Sequence, residues 1–168
     1  MQICQISGYK GSGKTALMTH LVRHFSEAGL KVGSLKHHGH GGEPAMQTGT
    51  DSQKHLAAGS VISGVQGETV SQLTFNTPFE LDDLIRMYAS LPLDLVLLEG
   101  YKQYHYPKIV LIRNAMDLSL LDELSNIIAA GSWDMTLLEE RQYPVFEMKN
   151  MQNNISVIAE YIRRDANG

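Results

Sequence analysis

Apolar and polar positions along the chain switch repeatedly between two periods. Gln2 to Ser7 is a short, mostly apolar run with Ile3, Cys4 and Ile6, which predicts a buried strand. After a glycine-rich turn the period lengthens. From Thr15 onward Leu17, Met18, Leu21, Val22 and Phe25 recur at helical spacing, and Gly29 stands where a helix commonly stops. Leu30 to Leu35 reads as the next strand, so this first unit is strand–helix–strand, with a parallel pair and a right-handed crossover. His37 to Gly49 lacks an apolar period and reads as a loop. Thr50 with Gln53 carries a capping-box signature for a short helix, closed by Gly59. Val61 to Val65 and Val70 to Phe75 read as two strands around Gly67-Glu68, a hairpin. Thr77-Pro78-Phe79-Glu80 predicts a helix with proline at its first position, whose apolar face is Leu81, Leu84, Ile85 and Tyr88. Leu93 to Leu98 is almost continuously apolar, broken by Asp94, and predicts a central parallel strand. Ile109–Ile112, Ile127–Ala130 and Pro144–Met148 are further strands. Met151 to Arg164 is an amphipathic helix with Ile155, Ile158, Ala159 and Ile162 inward.

Composition narrows the class. The 168 residues suit a single domain over 1–168, with 61–75 as a hairpin insertion. Hydrophobic residues at 43% and charged residues at 19% describe a globular chain. Such a chain buries about two-thirds of its unfolded surface. One cysteine, Cys4, excludes an internal disulfide framework and a Cys-rich zinc site, and its place inside the first strand reads as core. A net charge of −4 argues against a dedicated nucleic-acid binder. No apolar run reaches the roughly 18 residues of a membrane span, and the first six residues lack a basic leader. The expected compartment is the cytoplasm, with no membrane and no nucleic acid as partner.

The chemistry lies in Gly8-Tyr9-Lys10-Gly11-Ser12-Gly13-Lys14-Thr15, a full G-x-x-x-x-G-K-[ST] between a strand and a helix. Glycines let such a loop turn its backbone N–H groups toward phosphate oxygens. Lys14 then reaches the β- and γ-phosphates, the Thr15 hydroxyl serves Mg²⁺, and the helix presents its positive end. These residues predict a P-loop NTPase fold: α/β, a mostly parallel sheet flanked by helices, with a small extra β-hairpin. A P-loop needs an acidic partner for its metal. Glu99 ends the apolar strand at the edge where ligands bind, whereas Asp94 begins that strand and points to the opposite edge. Asp51, in the helix after the loop, is a second acidic candidate. Lys36 follows the second strand on the same edge and is a candidate phosphate contact. His37, His38 and His40 beside it read either as a metal-binding set or as an exposed loop.

The P-loop, the strand ending in Lys36-His37-His38, Gly49-Thr50-Asp51-Ser52 with His55 and Ala58-Gly59, and Leu98-Glu99-Gly100-Tyr101-Lys102 together resemble the molybdopterin-guanine dinucleotide biosynthesis adaptor (MobB) family. The resemblance runs from the first strand to Ile109-Val110-Leu111-Ile112 and more loosely beyond. It implies a P-loop GTPase related to the metallochaperone and signal-recognition-particle group. It implies GTP and Mg²⁺ as ligands, weak GTPase activity, and help to a guanylyltransferase that attaches GMP to molybdopterin. By the same resemblance Gly11 to Thr15 bind phosphates, Thr15 and Glu99 serve Mg²⁺, and Lys36 and Asp51 line the site. The chain departs from the family in having only Glu43 as an acid within Gly41-Gly42-Glu43-Pro44 and Thr50 in place of a lysine. It has no Asn-Lys-x-Asp guanine motif; Ala130-Gly131-Ser132-Trp133-Asp134 stands in its place, with Asp134 as the base acceptor.

Two other readings share the same loop: a small-molecule P-loop kinase, and a metallochaperone GTPase using the histidine loop. A kinase usually closes an arginine-bearing lid, but the 14 lysines and arginines here are scattered. With no arginine or glutamine in a motif to assist water, hydrolysis is expected to be slow. The hairpin segment, with Val61, Ile62, Val65, Val70, Leu73 and Phe75, is too apolar for a simple surface hairpin, and Glu68 is its only charge. Pairing with a second copy satisfies its edges, which predicts a homodimer; the competing arrangement has the hairpin extending the main sheet.

Overall fold

A computed structural model describes residues 1–38, 43, 48–139 and 141–165. His40, Gly41, Gly42 and Pro44 of the histidine loop lie outside the described residues. In chain order the strands are β1 (Gln2–Gly8), β2 (Val32–Lys36), β3 (Ile62–Gln66), β4 (Ser71–Phe75), β5 (Leu95–Glu99), β6 (Lys108–Ile112), β7 (Ile127–Ser132) and β8 (Val145–Glu147). The helices are α1 (Lys14–Glu27), α2 (Asp51–Ala57), α3 (Leu81–Ala89), α4 (Ser119–Glu123) and α5 (Ile155–Asp165). Backbone contacts gather into two compact units, Met1–Gly39 with Tyr88–Gly168, and His40–Met87.

The first unit is built on a six-stranded sheet in the order β2-β5-β1-β6-β7-β8, with every neighbouring pair parallel. The strand–helix–strand reading of the first 35 residues needs one correction. β1 and β2 are not partners, because β5 lies between them. The burial pattern gives the reason. All five residues of β5 are buried, as a strand flanked on both edges and both faces must be, whereas β2 is only partly buried and takes the edge. β6 shows the same logic with period two. Ile109 and Leu111 enter one core cluster with Leu17, Leu21 and Phe25 of α1 and Ile158, Ala159 and Ile162 of α5. Val110 and Ile112 enter a second with Leu120 and Leu121 of α4 and Leu138. Both faces of the sheet are therefore covered, which leaves its carboxyl edge as the place for a ligand site.

The sequence pattern does not predict the 3-10 turn at Met148–Asn150, nor two others, one at Ala115–Leu118 leading into α4 and one at Met135–Leu138. These two begin with a side-chain cap, Asn114 and Asp134, and are too short to show a helical period. The terminal helix starts at Ile155, later than the predicted Met151. Residues 151–154 form turns that include Asn153 N–H to Asn150 O at 3.1 Å. Asn153 and Asn154 suit turns and helix caps better than a helix interior, and the Asn154 carbonyl accepts a first helical bond from the Ile158 N–H at 3.0 Å.

In the second unit Thr50 caps α2 by accepting from the Gln53 N–H at 3.3 Å, and Gln53 Oε1 accepts from the Gly49 N–H at 2.7 Å. The capping signature is thus realised with its return arm one residue earlier. β3 and β4 form the predicted antiparallel hairpin, Ile62 opposite Phe75 and Gln66 opposite Ser71. They make a two-stranded sheet of their own and do not extend the main sheet. α3 begins at Leu81 and not at Pro78. The Glu80 carbonyl accepts the first helical bonds from Asp83 and Leu84, and the Phe79 ring sits edge-on to Phe75 with centroids 5.2 Å apart. Residues 78–80 thus precede the helix, with Phe79 against the hairpin.

Candidate nucleotide-binding site

β1 runs from the core to the carboxyl edge and ends at Gly8, opposite Leu111 of β6. Tyr9 to Gly13 then loop over the edge, and α1 opens at Lys14. Gly13 is the helix cap, with φ 100° and ψ 9°, no side-chain cap bond and no acid in the first turn of α1. A side chain there would be strained, and its Cβ would lie 2.7 Å from Met148 Cε and 3.3 Å from the Trp133 ring. Gly11 is likewise left-handed, at φ 78°. The first turn of α1 therefore offers its N–H groups with neither a capping oxygen nor a carboxylate competing for them. Ser12 is fully buried beneath the loop, and its Oγ has no hydrogen-bond partner. Lys14 folds back over the loop and donates to the Tyr9 carbonyl at 2.8 Å. Burial pushes its pKa below the ordinary 10.5; the Glu99 charge opposes that shift and Lys36 adds to it.

Glu99 is where the sequence places it, at the last position of β5, and is only 6% exposed. The sheet register sets Ile6 on one side of it and Lys36 on the other. Its carboxylate accepts from the Thr15 hydroxyl, with distances of 3.1 and 3.2 Å to the two oxygens, and pairs with Lys36 Nζ at 3.1 Å. Thr15, Glu99 and Lys36 thus form one cluster. Lys36, expected as a phosphate contact, is engaged here by the carboxylate. The three residues lie in a cleft of about 320 Å³ between α1 and β2, with Met18, Val22 and Leu35 on its apolar walls. Asp94 begins the same run and bonds the Lys31 N–H at 2.7 Å, away from this edge.

Several residues to which the sequence assigns no role complete the surroundings. Arg113 follows β6 and donates from Nη1 to the Lys10 carbonyl at 3.1 Å. Its own N–H is held by buried Asp117 at 2.9 Å. Trp133 follows β7 and donates from Nε1 to the Ser12 carbonyl at 3.0 Å. Lys102 Nζ lies 3.5 Å from the centre of the Tyr9 ring, and burial lowers its pKa, with Lys14 adding to the shift. Gln5, buried in β1, donates to the carbonyls of Gly100 and Tyr101 at 2.7 Å each and so fixes the turn after Glu99. Tyr101 is left-handed there, at φ 54°, and its ring meets His37 with centroids 5.0 Å apart. Gln5, a polar residue between Cys4 and Ile6 in a buried strand, is a signal visible in the sequence. Lys14, Lys36, Lys102 and Arg113 give this edge a positive character although the whole chain is acidic.

Asp134 caps the 3-10 turn after β7, accepting from the Thr136 N–H at 3.1 Å and its hydroxyl at 2.8 Å. The Thr136 hydroxyl and N–H hold its carboxyl below the usual range, so it is an ionised acceptor. Asp51 belongs to the second unit, where it is exposed and pairs with Lys54 at 2.8 Å.

The donor set fits a hard cation that arrives with a phosphate ligand. Thr15 Oγ1 and the Glu99 oxygens are hard donors already adjacent, and Mg²⁺ usually takes only one or two protein ligands alongside phosphates and water. Among the described residues no group of three His, Cys, Asp or Glu side chains could hold a metal alone. Among them, too, no helix is long and apolar enough to cross a membrane.

The chain is similar to several known proteins. The chain is 38% identical over 145 residues to a probable molybdopterin-guanine dinucleotide biosynthesis adapter protein of Bacillus subtilis (strain 168), covering 86% of this chain and 84% of that one. The crystal structure of Bacillus subtilis MobB superposes with a TM-score of 0.79 at 34% identity, over 95% of this chain and 98% of that one. The MobB homologue from Bacillus stearothermophilus does so with a TM-score of 0.76 at 34% identity, over 98% and 99%. Residues 3–133 match the family described as molybdopterin guanine dinucleotide synthesis protein B, MobB, and the chain belongs to that family.

Proposed function

We propose that the protein is a GTP-binding adaptor in molybdopterin guanine dinucleotide biosynthesis, with slow intrinsic hydrolysis, that assists a guanylyltransferase. The observation that carries the reading is the union of a complete phosphate loop with the Thr15–Glu99 pair on the neighbouring strand. Backbone N–H groups of the loop and of the first turn of α1 hold the phosphates, and Lys14 exchanges the Tyr9 carbonyl for phosphate oxygens. Mg²⁺, held by Thr15 and Glu99, supplies charge neutralisation at the β- and γ-phosphates. Asp134 supports a guanine preference, because an ionised carboxylate accepts from the N–H donors of that base. Slow hydrolysis is supported by Arg113, whose guanidinium is bound to the loop's own carbonyl. The adaptor role rests on the names of the relatives, which are adapter proteins of this pathway.

A homodimer belongs to the same reading. Val61, Ile62, Val65, Val70 and Leu73 on the hairpin are between 47% and 71% exposed, an apolar surface for which a second copy is the natural cover. One experiment tests the whole proposal. The tagged protein is used to capture partners from an extract of cells making the cofactor, with Mg²⁺-GTP or with no nucleotide. Recovery of the molybdopterin guanylyltransferase, enhanced by GTP, is expected; its absence under both conditions overturns the adaptor role.

A further inference from the structure

Three carbonyls of the phosphate loop are tied outward by side chains: Tyr9 by Lys14, Lys10 by Arg113, and Ser12 by Trp133. A trans peptide unit is planar, with its C=O and the following N–H pointing in opposite directions. Pulling the Lys10 carbonyl toward Arg113 therefore turns the Gly11 N–H the other way. The Trp133 bond to Ser12 does the same for the Gly13 N–H. Lys14 belongs to the loop's own machinery and must leave Tyr9 when it meets phosphate. Arg113 and Trp133 come from outside the loop and need not move.

Their origin in the fold is a matched one. Ile112 and Ser132 are register partners at the ends of β6 and β7, and Arg113 and Trp133 are the first residues past each strand. Both side chains thus leave the carboxyl edge at the same level and reach the loop that follows β1, the strand beside β6. Each is anchored. The Arg113 backbone is bonded to Asp117, and the Trp133 ring, with the Met148 methyl, occupies the space a side chain at position 13 would need.

We infer that Arg113 and Trp133 are positioning residues that hold the empty phosphate loop with its Gly11 and Gly13 N–H groups ready for an anion. They touch no phosphate themselves. The gain is preorganisation: glycine-rich peptides otherwise sample many orientations, and fixing them before binding lowers the entropic cost of capturing the triphosphate. The inference rests on the nucleotide reading above for its ligand, but the orientation of the loop is a property of the free protein.

The test uses the full chain as wild type, Trp133→Phe, Arg113→Ala and Arg113→Lys, with Mg²⁺-GTP as the calorimetric probe. Trp133→Phe keeps a ring beside Gly13 and removes only the N–H donor. Arg113 is exposed, so its replacements leave the core intact. Loss of the neutral bond should weaken binding about fivefold and loss of the charged one about tenfold or more, with Arg113→Lys recovering part of the loss. Nitrogen–proton NMR of the ligand-free proteins gives an independent readout. The Gly11 amide resonance should move or broaden in Arg113→Ala and that of Gly13 in Trp133→Phe, while amides of β5 stay in place. Wild-type protein that binds GTP, with folded variants of unchanged affinity and unchanged Gly11 and Gly13 resonances, overturns the inference. Wild-type protein that fails to bind GTP overturns the nucleotide reading instead, and the two glycine resonances still decide the positioning role. Should Trp133→Phe not fold, the Arg113 pair decides it.

Discussion

Replacing Glu99 by glutamine should uncouple nucleotide binding from Mg²⁺ while leaving the fold in place. The carboxylate is nearly buried, accepts from Thr15 and pairs with Lys36. In the ligand-free protein several effects oppose one another. The variant loses a charged pair, but Lys36 is 59% exposed at its side chain and regains water readily. It also escapes the desolvation cost of a buried charge, and the amide oxygen still accepts from Thr15. Stability should therefore change by no more than about 1 kcal/mol. Metal binding has no such offset. A hydrogen bond or contact to a charged group contributes about 1.5–3 kcal/mol, so the Mg²⁺-dependent part of GTP affinity should fall roughly tenfold to a hundredfold. The assay is calorimetry of GTP with Mg²⁺ and with EDTA on both proteins, read as the ratio of the two affinities. A folded Glu99→Gln protein with an unchanged ratio would refute the metal role of Glu99.

Lys14→Ala should weaken triphosphate binding by well over tenfold, since it removes a charge-assisted contact on the phosphates; equal affinities by calorimetry would reject the phosphate-loop reading. Because burial lowers the Lys14 pKa, the ammonium that phosphate requires is lost at lower pH than for an ordinary lysine. GTP affinity should thus decline as pH rises toward 10.5, binding in that window should take up protons, and Lys14→Arg should flatten the decline. Phosphate release by the isolated protein should be slow, as a positioned arginine finger supplies about 10³–10⁵ in rate and Arg113 is committed to Lys10; turnover in the ordinary enzyme range without a partner would contradict this. Light scattering at micromolar concentration should give about twice the chain mass of 18.6 kDa, and a Val65→Glu Leu73→Glu variant should return to a single mass.

The parts of the fold legible in the sequence are those whose cause is local. Period two and period 3.6 locate β1, α1, β5 and β6, because burial of one face or both is written into each segment. Strand order is a different kind of fact. Whether β2 pairs with β1 or with β5 depends on which strand is apolar enough to occupy the centre, and only a comparison of β2 with β5 across the 58 residues between them decides it. α3 starts three residues later than its signature predicts, at Leu81 and not at Pro78. Pro78 and Glu80 signal a helix correctly, but its first bonds run to the Glu80 carbonyl, and the Phe79 ring packs edge-on to Phe75, a partner that a local signature does not reveal.

The same division runs through the site. Gly8 to Thr15 and Glu99 are legible because phosphate and metal chemistry demand those residue types at the end of a strand and the start of a helix. Arg113, Trp133, Lys102 and Gln5 carry no such signature. Arg113 and Trp133 act on the loop's carbonyls, and a carbonyl can be held by any donor of suitable reach. Chemistry constrains the residues that face the ligand; the sheet's register alone constrains those that support them. Arg113 and Trp133 are equivalent only because Ile112 and Ser132 are paired, a relation between positions 20 residues apart that no local pattern encodes. In a parallel sheet whose core holds the strands in fixed register, the residue just past each strand end is placed as firmly as the strand itself. That is where supporting residues of this kind are to be sought.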